Sequence, residues 1–138
     1  MLPTHCACSK LRRSARIVTA IYDEALAPAG LTVAQFALLR MLQRVGPCSL
    51  TALAEATALD RTTLNRNLRP LEQAGLVVSA GCTEDQRARI IRLSDQGATA
   101  IRAAEPHWRA AQARIDVALG GEREALFKIL DRVEALRG

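Results

Sequence analysis

Arg61, Thr62, Thr63, Asn65, Arg66 and Arg69 crowd into the stretch "DRTTLNRNLRPLEQAGLV", residues 60 to 77. Arginine and asparagine side chains pair bidentately with guanine and adenine edges in the major groove. Threonines near a helix start, beside backbone N–H groups without helical partners, bind phosphates. On a helix, Leu64, Leu68 and Leu71 recur at steps of four and three and share one face. Thr62, Arg66 and Arg69 take the same steps from two residues earlier, about 200° round, with Arg61 and Asn65 beside them. The chemistry offered is the reading of nucleic-acid edges. An isolated segment of this kind also describes a plain solvated helix, so its neighbours decide.

Two further clusters carry chemistry. Arg87 and Arg89 stand just after "GCTEDQ", a turn-prone connection between the β-rich segments "LVVSA" and "RARIIRL". "HCAC", His5 to Cys8, sets Cys6 and Cys8 one residue apart. They are soft ligands for a thiophilic metal or metalloid, or a redox pair whose thiolates Lys10, Arg12 and Arg13 favour. Against this stands a mobile arm with two ordinary thiols. Cys48 and Cys82 lie far off, and the four cysteines are too scattered for a secreted disulfide scaffold. No cysteine has a base and an orienting group at readable spacing, and only His5 and His107 exist. An enzyme with a cysteine nucleophile is therefore not expected, and neither is a cofactor.

These residues must be held by elements that the sequence also announces. The chain has 138 residues, enough for one domain with a core, and 49% of them are hydrophobic. Aromatics are only 3%, while alanine and leucine abound, which favours helix over sheet. Nineteen Lys and Arg against fourteen Asp and Glu give +5, a balance suited to a polyanion. Only Lys10 and Lys128 are lysines. The longest apolar runs fall short of a bilayer span, and the start lacks an apolar stretch with a cleavage site, so a cytoplasmic protein is expected.

Helical periodicity runs over 9–27, with Leu11, Ala15, Val18, Tyr22 and Ala25 as one stripe. "TVAQ" (32–35) is a capping box opening a second helix through Phe36, Leu39 and Leu42. Ser49 caps a short third helix, with Leu50, Leu53 and Ala54 inward. Asp60, Thr62 or Thr63 caps the fourth, and Pro70 inside it is expected to bend it or tighten its turn. After the hairpin a long helix runs from Ser94 to about 119. Its Ile101, Ala104, Trp108, Ala111, Ile115 and Ala118 have coiled-coil spacing, with a kink expected at Pro106. A last helix follows Gly120-Gly121.

A helix–turn–helix followed by a two-stranded wing is a known way into DNA grooves. "LTVAQFALLRML", "SLTALAEATALDRTTLNRNLRPLEQAGLV" and "EDQRARIIRLSDQG" occur in the right order, and together they resemble the MarR family of winged helix–turn–helix regulators. The resemblance extends over nearly the whole chain. The implied fold is mainly α with a small β-hairpin wing: one domain over 1–138, with 32–93 as the DNA-binding unit. Residues 9–30 and 94–138 would be dimerisation helices joining two copies. The resemblance also makes Arg87 the wing contact, with Asp85 orienting it. It implies an effector pocket between the dimer helices and the reading unit, with Tyr22 and Phe36 as wall residues. The expected function is a homodimeric repressor released from a pseudo-palindromic operator by a small-molecule effector. The alternatives are a thiol-based redox or metal sensor acting through Cys6 and Cys8, and a basic DNA binder without sequence preference.

Overall fold

The computed structural model describes residues 2–81 and 89–137. Its elements are six helices and a small sheet: α1 (Ala7–Leu26), a single 3-10 turn at Ala27–Ala29, α2 (Val33–Val45), β1 (Cys48–Ser49), α3 (Leu50–Thr57), α4 (Arg61–Gln73), β2 (Val77–Ala80), β3 (Ile90–Leu93), α5 (Asp95–Leu119) and α6 (Arg123–Glu134).

Local chemistry sets most of these ends. Thr32 and Gln35 form the full capping box at the start of α2, and the Val33 N–H donates to Asp23 Oδ1 of α1 at 2.8 Å. Ser49 caps α3 through the Ala52 N–H, and Ser94 caps α5 through the Gly97 N–H. Of the three candidates for α4, the cap is Asp60, whose carboxylate accepts from the Thr63 N–H. The helix closes at Gly75, where φ is +76°. There Leu76 N–H reaches the Leu71 carbonyl and Gly75 N–H reaches that of Glu72, the paired bonds of a Schellman ending. Pro70 and Pro106 lie inside α4 and α5, and both helices run unbroken through them.

The sheet is three-stranded and antiparallel in the order β1-β3-β2, with Val77 opposite Leu93 and Cys48 opposite Ile91. The hairpin was expected, whereas the third strand is an addition. That strand is two residues long and its second residue is the cap of α3, too short for an alternation to show.

Phe36, Leu39, Leu42, Leu53, Leu64, Leu68, Leu71 and Ile91 form the centre of the core, each at most 2% exposed. Full burial of each such side chain contributes roughly 1.5–3 kcal/mol. Leucines of α2, α3 and α4 thus meet over the sheet, and α5 joins them through Ile101 and Ala104. The terminal helices are different. Leu11, Ile17, Val117, Phe127 and Ile129 are exposed, and α6 buries no residue at all. Among the described residues no single helix is long and apolar enough to cross a membrane.

Candidate nucleic-acid interface

The core fixes which way α4 faces. Leu64, Leu68 and Leu71 are sealed against the other helices, so the opposite side is turned outward. Arg61, Thr62, Arg66 and Arg69 are exposed on it, and Asn65 and Thr63 are half-buried. Thr62, Asn65, Arg66, Arg69, Pro70 and Gln73 line one shallow concavity along that face. Pro70 is therefore part of the outward surface. Gln73 belongs to the same strip and was not singled out in the sequence, although it stands four residues after Arg69.

The helix start is electrostatically arranged. Asp60 accepts from the Thr63 N–H at 2.8 Å with Oδ1 and from the Thr63 hydroxyl at 3.1 Å with Oδ2. Those bonds hold its carboxyl below the usual aspartate range. The Thr63 hydroxyl is thereby committed to the cap, and Thr62 is the threonine left open to an incoming group.

Arg89 does not project from the wing. Its Nη2 meets Glu72 Oε1 of α4 at 2.8 Å and Ser79 Oγ of β2 at 3.1 Å. Asp85, Arg87 and Cys82 lie outside the described residues.

The two side chains expected to wall an effector pocket separate. Tyr22 is buried and its hydroxyl donates to Gln112 Oε1, joining α1 to α5. Burial pushes the Tyr22 phenol up, opposed by the Arg123 charge and aided by Asp116. Phe36 instead forms the floor of an open cleft of about 230 Å³, with Arg40, Met41, Arg44 and Trp108 around it. The Phe36 and Trp108 rings are 6.0 Å apart, and the Arg40 guanidinium sits 5.6 Å and 5.5 Å from their centres. Arg40 and Trp108 are the residues that sequence reasoning missed here. Their meeting joins positions 40 and 108, which no local spacing announces.

Cys6 is the N-cap residue of α1 and, like Cys8, is exposed with a free thiol. Hydrogen bonds from the Ser9 side chain, and then from the Ser9 and Cys8 backbone, pull the Cys6 thiol down. Cys48 is buried in β1, and burial pushes its thiol up. Among the described residues no three His, Cys, Asp or Glu side chains come together as a metal site.

Comparison with known proteins gives the same picture. The model of the MarR family matches residues 29–88. Transcriptional regulator MosR of M. tuberculosis, in a crystal structure with DNA, is 34% identical, with 97% of this chain and 100% of that chain covered and a TM-score of 0.79. A second MosR crystal structure is 32% identical over 96% of both chains, at a TM-score of 0.81. BpsR of Bordetella bronchiseptica, whose DNA binding is regulated by 6-hydroxynicotinic acid, is 26% identical over 96% of this chain and 98% of its own, at 0.82. The transcriptional repressor CouR, bound to a 23-mer DNA duplex, is also 26% identical, over 97% and 99%, at 0.84.

Proposed function

The chain belongs to the MarR family of transcription regulators, and on that premise we propose that it is a homodimeric, sequence-specific repressor released from a pseudo-palindromic operator by a small-molecule effector. One observation carries the DNA reading: α4 buries its leucines and turns Thr62, Asn65, Arg66 and Arg69 outward behind an Asp60 cap. The N-terminal part of that face enters the major groove, with Arg66 and Asn65 toward base edges and Thr62 toward phosphate. Arg87 at the wing reaches the minor groove or its phosphates, an assignment resting on the family pattern.

Residues 9–30 and 94–138 are the dimerisation regions in this reading. The apolar side chains that α1, α5 and α6 leave in water supply the surface a second copy covers. Two copies then present two reading helices about one helical turn of DNA apart. The effector site is the Phe36–Arg40–Trp108 cleft. A flat aromatic acid fits its chemistry, because the ring stacks on Trp108 while Arg40 and Arg44 meet the carboxylate.

The test is selection of bound sequences from random DNA, then comparison of selected and random duplexes at fixed salt. Regulators of this kind favour their sites by about a thousandfold or more. Equal affinity would reduce the protein to a phosphate binder without sequence preference.

A second reading is favoured by the Cys6 position. The lowered thiol at the start of α1 makes Cys6 the attacking sulfur toward a hydroperoxide. Its thiolate takes the outer oxygen, the O–O bond breaks, and the alkoxide or hydroxide leaves. Cys8 then attacks the sulfenic sulfur, an S–S bond forms and water departs. Cys6 at the N-cap and Cys8 in the first turn are two positions apart, so closing that bond makes a tight, strained ring that is easily reduced. Replacing both cysteines by serine abolishes oxidant release and leaves DNA affinity intact. An unchanged oxidant response would sink this reading.

A further inference from the structure

Glu72 continues the line of Asn65 and Arg69 along α4, at steps of four and three. It thereby puts a negative charge on the edge of a surface offered to a polyanion. Its carboxylate is not directed outward alone, because Arg89 Nη2 holds Oε1 at 2.8 Å. The same nitrogen meets Ser79 Oγ at 3.1 Å. Arg89 immediately precedes β3 and Ser79 lies in β2. One guanidinium therefore fastens the reading helix to both strands of the wing. The two charged side chains are 21% and 30% exposed, which keeps the pair partly out of water.

We propose that Glu72 and Arg89 are positioning residues for DNA binding, forming a clasp that fixes the angle between the reading helix and the wing before DNA arrives. The proposal rests on the DNA-binding reading given above. A major-groove helix and a wing engage the same duplex together only when their relative orientation matches it. Setting that orientation in the free protein removes an ordering cost from binding. Arg89, an arginine beside the wing turn, then serves DNA through Glu72 and not through a phosphate. Glu72 serves it despite carrying the wrong sign for a contact.

That sign makes the test sharp. Were Glu72 merely a charge near DNA, Glu72→Gln would tighten binding by removing repulsion. The clasp predicts the opposite, a loss of about fivefold on a selected duplex, the scale of a partly exposed ion pair. Arg89→Met gives a similar loss, with the slope of log affinity against log salt unchanged. Removing a residue that touches phosphate would instead lower that slope by about 0.9. The charge swap Glu72→Arg with Arg89→Glu recovers part of the affinity lost in Arg89→Glu alone. Circular dichroism and Tm show whether each variant stays folded.

In the absence of DNA, Glu72→Gln also speeds backbone amide exchange at Ser79 and Ile90. Tighter binding by Glu72→Gln, a lowered salt slope for Arg89→Met, or unchanged exchange overturns the clasp. Wild-type protein that selects no DNA overturns the functional reading instead. The exchange result then still decides whether Glu72 holds the wing.

Discussion

Asp60 grips Thr63 twice, taking its backbone N–H at 2.8 Å and its hydroxyl at 3.1 Å. The first turn of the reading helix is thus held by a single carboxylate. Asp60→Ala leaves those donors unsatisfied, so Tm falls and affinity for a selected duplex falls with it. The carboxyl is held below its ordinary value, so its contribution is present above the unfolded aspartate value of about 3.9. It is lost as pH falls through the lower folded value. Asp60→Asn keeps a cap and removes that part of the acid sensitivity, which thermal melts across pH 2–5 (roughly the carboxylate range) will show.

Arg66 stands exposed in the concavity of α4. Arg66→Ala weakens binding to selected DNA by about 1–3 kcal/mol and to random DNA far less. Arg87→Ala weakens both alike, in keeping with a backbone or minor-groove role. Equal losses on all sequences for Arg66→Ala would remove it from the base-reading set.

Trp108 is the chain's one tryptophan and lies within reach of Phe36 and Arg40. A planar aromatic acid entering the cleft changes its emission, which gives a direct titration without DNA. Arg40→Met keeps the volume and removes the charge, so affinity for the acid falls about tenfold or more while DNA affinity without the acid is retained. An unaltered titration would place the effector elsewhere.

Phe127 is 56% exposed on α6, a helix with no fully buried residue. Phe127→Glu puts a charge into the surface a second copy would cover. Sedimentation at micromolar concentration then shows a shift from two copies to one. Affinity for a two-half-site operator drops by about a hundredfold, because the second half-site is no longer engaged by a linked copy. A wild-type chain that sediments as a monomer would overturn the dimer.

Gly97 has no room for a side chain: a Cβ there would stand 2.2 Å from the Leu76 carbonyl and 2.6 Å from Leu93 Cδ1. Backbone cannot yield as a flexible side chain does, so Gly97→Ala destabilises by about 1–3 kcal/mol or more. Chemical denaturation measures it. Gly120→Ala is the comparison, since a Cβ there meets nothing and the cost is that of its left-handed φ of +60° alone.

The helical framework was legible because its signals are local. Thr32 with Gln35, Ser49, Ser94 and the leucines of 64–71 each declare themselves within one or two turns. The outward face of α4 followed directly, since burial of one stripe determines the other. What escaped depends on pairs distant in sequence. Arg89 reads as a wing-tip charge until Glu72, seventeen positions earlier, is brought beside it. The partner of the Tyr22 hydroxyl, Gln112, lies ninety positions later. Arg40 and Trp108 likewise meet only through the packing of α2 on α5. Charge and ring chemistry name what a residue can do, and tertiary packing chooses the partner.

Ser94 caps α5, and its hydroxyl also bonds the Gly75 carbonyl at 2.6 Å, where α4 ends. Its own N–H reaches the Leu76 carbonyl at 3.1 Å, and Gly97 lies directly over that carbonyl. The root of the long helix and the heel of the reading helix are thus tied through one serine, so Ser94→Ala removes a bond from each helix end at once.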